Sequence, residues 1–498
     1  MANRCPSCGG TLRFDIQKQK LVCDYCKSEF DSDSIEEVKP AEEGLVFNGQ
    51  SMEAKIFTCP NCGAEVFATD LDAVEYCSYC GTFVTLQSRL ARIQKPSYIV
   101  PFNITKEKCL ELYKEELKKC YFLPKYMNAE SAESNLKNFY IPFWVYSQKF
   151  KPDADVKFKT TVDYTEKDAE FRQRHDTGLV RYTATAKVSG SVDGMIFDAS
   201  SNLDDRISEE IKDFSVASLK PFKGALMAGS YADVADVRSE NYTDDACAKG
   251  LTAVAGKIQD KVKEKEAIHI DVKYGKSAKF FTDPDIYQTP DDYCDVDSKL
   301  AMLPVWFLTY KNQKRVFYSV INGFTGKIFA AIPVDVKKYL FWSFVAAIPF
   351  FLILELLFGP VFHYDFANPK NANSFWLYTL LAALGELFLD RRVYLKKLYN
   401  DMNRVDDKGY RALQSGDSGK KKKKKKIDST QIKIIIALVF ACMIVLGDGG
   451  ESVMPGYVAA IINIITIFAS IASKVKEHNL ACSRPVPHFF DKRKEAGK

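Results

Sequence analysis

Two groups of four cysteines with identical spacing constrain this chain more than any other feature. Each group reads C-x2-C-x14-C-x2-C, and the members are Cys5, Cys8, Cys23 and Cys26, then Cys59, Cys62, Cys77 and Cys80. Two pairs of thiolates on tight turns, separated by a short hairpin, supply the ligands of a tetrahedral Zn2+ site. The spacing therefore predicts two structural zinc ions, each held by four cysteines with no coordination position left for water or substrate.

The residues around the cysteines agree with this prediction. The first pair of each group reads Cys-Pro-x-Cys-Gly, in which proline presets the turn and glycine lets the backbone amides point at sulfur. Gly81 also follows the last pair of the second group, whereas Lys27 takes that place in the first group. We therefore expect two zinc ribbons, which are small β units, at residues 1–31 and 57–90, joined by a linker over 32–56.

Two other interpretations use the same cysteines. Each group is compatible with two disulfide bonds, or with iron in a rubredoxin-like site, since iron and zinc share thiolate chemistry. No signal sequence precedes the first group, and the other six of the 14 cysteines lack ligand spacing. We therefore expect a reducing compartment and free thiols outside the two metal sites.

Four apolar segments after residue 336 predict four transmembrane helices in two hairpins. They cover residues 339–362, 375–389, 432–446 and 454–473, which gives hairpins at 337–392 and 432–474. A bilayer core of about 30 Å requires about 20 helical residues, so the two shorter segments are also compatible with a buried helix or a re-entrant segment. Glu355 and Glu386 fall inside these segments at different depths. Their carboxylates are compatible with contact to lipid headgroups or, alternatively, with a role in transport.

The charge between and after these segments predicts their orientation. Residues 391–433 carry 15 Lys and Arg, including the run from Lys420 to Lys426, and residues 474–498 carry seven. The positive-inside rule then places the N-terminus, a basic loop at 393–431 and a basic tail at 475–498 in the cytoplasm of a multi-pass plasma-membrane protein. Together, residues 391–433 and 474–498 have a net charge of +14, which favours contact with anionic lipid headgroups. The alternative for the lysine run is a solvated loop that only determines the topology.

Residues 91–336 predict a soluble domain of mixed α/β class. Aromatic runs at 139–146 and 303–310 predict strands, and residues 105–120 predict a helix. The order Pro101-Phe102, helix, Pro142-Phe143-Trp144 recurs as Pro221-Phe222, helix, Pro304-Val305-Trp306. An internal duplication would explain this recurrence, as would chance repetition of strands that begin with proline and an aromatic residue.

Charge and motifs limit the classes of function. The chain has no recognisable catalytic motif, and none of its five histidines stands in a ligand or triad setting, so we expect a protein that is not an enzyme. Residues 1–90 hold eight Lys and Arg against 14 Asp and Glu, a net charge of −6. Two zinc ions with eight thiolates would bring this to about −10, which opposes binding to nucleic-acid phosphates and favours contact with proteins.

Several motifs together resemble a bacterial family. They are the two Cys-Pro-x-Cys-Gly turns, Tyr140-Ile141-Pro142-Phe143-Trp144, Pro221-Phe222, Leu303-Pro304-Val305-Trp306 and Ile321-Asn322-Gly323-x-Thr325-Gly326-Lys327. This set is similar to the TFIIB-type zinc ribbon-containing membrane proteins common in Firmicutes. The resemblance implies a membrane partner of phage-shock-type or SPFH (stomatin/flotillin-like) proteins, with a role in membrane stress or in the organisation of membrane domains.

These features together predict a membrane-anchored zinc-ribbon scaffold without catalytic activity. In this interpretation the ribbons dock partner proteins, the middle domain links them to the bilayer, and the hairpins anchor the assembly, which is compatible with a homo-oligomer. Two alternatives remain at this stage, namely a membrane-tethered regulator that binds nucleic acid, and a transporter or membrane enzyme.

Overall fold

The computed structural model describes the chain in segments. They comprise residues 4–32, 34, 51–68, 77–83, 87–167, 175–203, 205–255, 279–284, 294–313, 315–358, 379–380, 383–384, 429–447, 454–487 and 489. The strands are β1 Leu12–Asp15, β2 Lys20–Cys23, β3 Glu29–Phe30, β4 Ser51–Thr58, β5 Glu65–Ala68, β6 Gln87–Gln94, β7 Tyr98–Ile99, β8 Leu136–Lys167, β9 His175–Asp198, β10 Lys220–Pro221, β11 Tyr231–Asp233, β12 Lys279–Pro284, β13 Cys294–Asn312, β14 Arg315–Asn322, β15 Ile328–Ala330 and β16 Arg484–Pro485. The helices are α1 Lys106–Lys118, α2 Ala129–Asn135, α3 Asp205–Ile211, α4 at 243–255, α5 Val336–Phe358, α6 Ser429–Gly447 and α7 Met454–Cys482, with 3-10 turns at Val216–Ser218, Gly224–Met227 and Ser239–Tyr242.

The first cysteine group lies on a separate three-stranded antiparallel sheet, β1–β2–β3. Leu12 and Leu21 are fully buried, although a unit of this size cannot build a large core of its own. Leu21 packs on Ala225 and Ala228, and the backbone N–H of Phe14 donates a hydrogen bond to the Ala228 carbonyl at 3.2 Å. The hairpin end of this ribbon is therefore docked on the turn that follows β10.

The second cysteine group belongs to the main sheet instead. Strands β4, β5 and β6 pair with one another, and β5 continues into the larger sheet by pairing with β11, where Ala232 lies opposite Phe67. β4 begins at Ser51, inside the stretch 32–56 expected to be a linker. Ala54 and Ile56 are buried on its inner side, which explains why this part of the stretch forms a strand. The second ribbon is thus continuous with the soluble domain.

Strands β8 and β13 form the centre of this 13-stranded sheet. They pair in antiparallel orientation over 136–150 and 294–308, with Ile141 opposite Leu303. Residues 300–310 of β13 are all buried, as a nearly continuous apolar strand covered on both faces should be. Helix α1 packs on the face that contains Tyr140, and α3 packs on the opposite face, which contains Ile141. The domain is therefore a sheet-rich α/β domain.

The surroundings of β8 and β13 match each other. β7 lies parallel to β13, and β11 lies parallel to β8. The indole N–H of Trp144 donates to the Val237 carbonyl at 2.8 Å, and that of Trp306 donates to the Ile104 carbonyl at 2.8 Å. The two carbonyls are equivalent in position, since Val237 lies shortly before α4 and Ile104 lies shortly before α1. The correspondence supports a duplication in which β7-α1-β8-β9 is one copy and β11-α4-β13-β14 is the other.

The backbone shows the same correspondence and corrects one detail. Matching N–H to carbonyl bonds run from Ala199 to Pro142 at 3.0 Å and from Gly323 to Pro304 at 2.8 Å. Pro221, however, is not the counterpart of Pro101, because β10 pairs with Tyr98 of β7 and β11 takes the corresponding place. The equivalent strands β7 and β11 differ in sequence, so the Pro-Phe pair shared by residues 101–102 and 221–222 does not mark equivalent positions.

The described residues contain one helical stretch long and apolar enough to cross a bilayer, Tyr457–Cys482, rather than the four predicted from sequence. Helices α5 and α6 cover much of the predicted spans at 339–362 and 432–446. Most of the span at 375–389, Glu386, the side chain of Glu355 and nearly all of the basic loop lie outside the described residues. Ala441 of α6 and Ala459 of α7 are fully buried against each other, a close contact typical of paired membrane helices.

After α7 the chain returns to the soluble domain. The Asn479 side chain accepts a hydrogen bond from the Val334 N–H at 2.7 Å and donates one to the Val334 carbonyl at 2.8 Å. The Arg315 guanidinium donates to the carbonyls of Leu480 and Ser483, and β16 pairs with β14. Much of the region expected to be a basic tail at 475–498 therefore packs on the domain.

Candidate metal centres

The fold brings all eight predicted cysteine ligands into two groups of four. In each group the four Sγ atoms lie within 4.8 Å of one another, and the groups are Cys5, Cys8, Cys23 and Cys26, then Cys59, Cys62, Cys77 and Cys80. Local hairpins are sufficient for this, since the turn before β1 and the turn at the end of β2 carry the first group and the turn between β4 and β5 begins the second. The prediction of two four-cysteine metal centres agrees with this geometry.

The distances between sulfur atoms fit a tetrahedral metal. A site with Zn–S bonds of about 2.3 Å places its sulfur atoms about 3.8 Å apart. The pairs Cys59–Cys80 and Cys62–Cys77 are separated by 3.8 and 3.7 Å, and the corresponding pairs of the first group are separated by 3.5 Å. A disulfide bond would require about 2.05 Å, so the geometry favours a thiolate metal site.

All four cysteine turns share one backbone geometry. The residue after the second cysteine donates its N–H to the carbonyl of the first cysteine and has a positive φ, as seen at Gly9 (73°), Lys27 (60°), Gly63 (78°) and Gly81 (66°). Glycine adopts this left-handed conformation readily, whereas a side chain makes it unfavourable by roughly 1 kcal/mol. Lys27 is therefore the one strained turn among the four.

The first centre is open to solvent on one side. Cys5 and Cys23 are buried, whereas Cys8 and Cys26 are exposed. Hydrogen bonding with the hydroxyl and backbone of Ser28 lowers the pKa of Cys26 to about 6, so this sulfur favours the thiolate form that a metal requires. A metal held here would be reachable by solutes.

The second centre lies inside the core of the domain. Its four cysteines are all buried, as is the turn that carries the last two of them. The Thr309 hydroxyl donates to the Ser78 carbonyl, and the Tyr318 hydroxyl donates to the Tyr79 carbonyl at 2.5 Å. Strands β13 and β14 therefore supply the donors for two buried carbonyls of this turn.

Charge balance in the second centre favours a bound cation. Hydrogen bonds from the thiols of Cys59, Cys62 and Cys77 lower the pKa of Cys80. Hydrogen bonding with Cys59, Cys62 and Cys80 instead raises the pKa of Cys77 well above its usual value. One thiolate can be supported in this way, but four buried thiolates require a compensating positive charge. Zn2+ supplies it, and iron with the same thiolate ligands would do so as well.

The end of the chain closes the second centre. The Phe489 N–H donates to the Cys62 carbonyl at 2.6 Å, and its ring meets the Tyr79 ring edge-on with centroids 5.7 Å apart. Tyr79 also contacts Asp233, whose pKa is raised to about 6 because the carboxyl is buried. Sequence reasoning missed Phe489 and Asp233, since neither lies near the cysteines in the chain.

Comparison with known proteins adds one relative. No family model matches the chain, and no solved structure matches it. A protein of Bacillus subtilis (strain 168) named "Uncharacterized protein YdjG" is 25% identical over 355 residues, which cover 71% of this chain and 96% of that protein. The similarity thus extends over nearly the whole length of that relative.

Proposed function

We propose that this protein is a membrane-anchored, zinc-loaded scaffold in which the first ribbon docks a partner protein. The contrast between two equivalent tyrosines carries the proposal. Tyr25 and Tyr79 occupy the same position in the last cysteine turn of each group, yet Tyr25 is 85% exposed and Tyr79 is 1% exposed. Tyr79 is packed in the core of the domain and cannot contact a partner. Tyr25 presents an exposed aromatic side chain of the kind that anchors protein interfaces.

The path of the chain supports anchoring from one side. Val334 immediately precedes α5 and is bonded to Asn479 near the end of α7, so the chain leaves the soluble domain and returns to it at the same place. That arrangement suits an even number of bilayer crossings. Together with the basic charge of 391–433, it favours four spans in the plasma membrane with both termini in the cytoplasm.

The charge of the first ribbon favours a protein partner over nucleic acid. Residues 4–32 hold five Lys and Arg against four Asp and Glu, and the acidic excess of the N-terminal region lies instead in 33–50 and 69–76. Within the ribbon, Arg13 pairs with Asp24 at 2.8 Å and Lys18 pairs with Glu29 at 2.5 Å. Cations that are already paired make a poor phosphate-binding surface.

The class of partner follows from the resemblance of the motifs. Phage-shock-type or SPFH membrane proteins are the proposed partners, and the role would be non-catalytic organisation of a membrane-stress assembly. The basic loop at 393–431 would add contacts with anionic headgroups.

Site-specific photocrosslinking tests the docking surface. A benzophenone amino acid is placed at Tyr25 in the full-length protein, which is irradiated in cells and purified from membranes in mild detergent with metal analysis of the same sample. We expect two zinc ions per chain and a discrete protein adduct at this position.

A matched variant carries the same group at Phe83, an aromatic residue of the second ribbon that is 71% exposed. An adduct at Tyr25 and none at Phe83 would support docking through the first ribbon. Equal labelling at both positions, or no protein adduct at Tyr25, would reject it.

A further inference from the structure

Two contacts of α7, one with the residue Val334 just before α5 and one with α5 itself, indicate the level at which the chain would enter a bilayer. Near the domain, Asn479 is bonded to Val334, and further along the helices the rings of Phe344 and Phe468 lie 6.4 Å apart. Both contacts join residues in the same antiparallel register. That register places Tyr339 level with Lys474, where α7 changes from apolar to charged residues.

A loop of the soluble domain lies at this level. The Phe122 ring packs edge-on against Tyr339 with centroids 5.1 Å apart, and the Phe122 carbonyl accepts a hydrogen bond from the Asp335 N–H at 2.8 Å. The Lys338 ammonium donates to the Leu123 carbonyl at 2.7 Å. Residues 119–127, here called the α1–α2 loop, are thus attached to the first turn of α5.

The α1–α2 loop is held firmly on its other side. Pro124 and Met127 are buried, and the Tyr126 ring packs beside the Phe317 ring of β14 with centroids 6.2 Å apart. Asn128 then begins α2 with a reciprocal capping box. A loop fixed at both ends holds its tip in one position relative to the helices.

The tip of this loop is Tyr121, which is 90% exposed, more than any other large apolar side chain among the described residues. Exposed lysines flank it at Lys118 and Lys125, and Lys337 is exposed at the start of α5. Tyrosine has an apolar ring and a polar hydroxyl, and it is enriched where a membrane meets water. Lysines beside such a site attract anionic headgroups.

We propose that the α1–α2 loop is a membrane-contact site in which Tyr121 inserts into the headgroup region of an anionic bilayer. The flanking lysines bind lipid phosphates there. The proposal rests on the membrane anchoring described under the proposed function, and it adds a contact between the soluble domain and the lipid surface that is independent of the helices. This contact would fix the tilt of the domain, and with it the height of the first ribbon above the membrane.

Depth-dependent fluorescence quenching tests this site in the full-length protein. Three single variants, Tyr121→Trp, Phe341→Trp and Tyr25→Trp, are reconstituted in phosphatidylcholine/phosphatidylglycerol vesicles with or without bromine on the upper acyl chain. The emission added to that of the four native tryptophans is measured. Phe341 is 62% exposed on α5 and reports anchoring, whereas Tyr25 is 85% exposed on the first ribbon, outside the α1–α2 loop, and serves as the control position.

We expect brominated lipid to remove most of the added emission at positions 121 and 341 and to leave position 25 unchanged. Lys118→Gln with Lys125→Gln should weaken quenching at 121 without changing quenching at 341. Quenching at 341 with none at 121 would overturn the membrane-contact site and leave the anchoring intact. Absence of quenching at both positions would overturn the anchoring itself, and the contact site with it.

Discussion

The backbone N–H of Phe489 donates a hydrogen bond to the carbonyl of Cys62, which joins a late part of the chain to a candidate metal ligand of the second ribbon. The Phe489 ring is 8% exposed and belongs to the same apolar cluster as the four cysteines of the second centre. Because Asn479 and β16 also hold the end of α7 against the domain, the second centre and α7 are parts of one folded unit.

Replacing Phe489 should therefore weaken both stability and metal retention. For Phe489→Ala we expect a loss of about 3 kcal/mol in the free energy of unfolding, since a buried phenylalanine is removed, and faster release of the second metal. Denaturant unfolding in mild detergent and metal release to a chromophoric chelator measure the two effects. Phe83→Ala, at a 71% exposed position, is the control, and identical behaviour of the two variants would refute this role for Phe489.

The two metal centres should differ in the rate at which they lose zinc. Cys8 and Cys26 are exposed, whereas all four ligands of the second centre are buried. Chelator added to the folded protein should release zinc in two phases of equal amplitude, with the fast phase from the first centre. Cys8→Ser should abolish the fast phase and keep the slow one; a single phase in the wild-type protein would show that burial does not control exchange.

Sequence reasoning located the two four-cysteine groups because their geometry is local. Each centre consists of short turns and a hairpin, so spacing alone determines which sulfur atoms meet. The difference between the centres could not be found in this way, because it depends on contacts from β13, β14 and the chain end. The bond from Thr309 to Ser78 spans 231 residues, and nothing in either sequence neighbourhood indicates it.

The same limit applies to the fold. Aromatic runs identified β8 and β13, whose burial on both faces leaves a strong apolar signature. The pairing of these strands with β7 and β11 was not predictable, since β7 and β11 each contribute only a few residues to the sheet. The recurrence that suggested a duplication includes Trp144 and Trp306, whose surroundings match in the structure, whereas Pro221 and Pro101 do not correspond, because proline with an aromatic neighbour recurs for unrelated reasons.

The strained turn at Lys27 offers a stabilising change. Lys27→Gly should relieve the positive φ of 60° and raise the stability of the first ribbon by about 1 kcal/mol, which is about fivefold in metal affinity. Chelator competition at the first centre measures it. Gln19→Gly is the control at a φ of 53°, and it should be destabilising because the Gln19 amide donates to the carbonyls of Ile16 and Phe102. A gain at Gln19 or a loss at Lys27 would contradict this account.

The correspondence between the two copies predicts matched effects at the two central tryptophans. Trp144 and Trp306 each donate one indole bond of 2.8 Å to a carbonyl of the other copy, and both are 5% exposed. Trp144→Phe and Trp306→Phe should each cost about 1–3 kcal/mol, because a carbonyl that is buried at Val237 and partly buried at Ile104 loses its donor. Trp342→Phe should cost little, since Trp342 is 55% exposed on α5.

Unfolding of the three variants in mild detergent provides the comparison. Equal losses for Trp144→Phe and Trp306→Phe would mean that the two copies contribute alike to one cooperative domain. A loss confined to one of them would mean that the hydrogen-bond pattern is retained in both copies but stabilises only one. In that case the loop that accepts the bond of the silent tryptophan, which precedes the helix of the other copy, is free to rearrange.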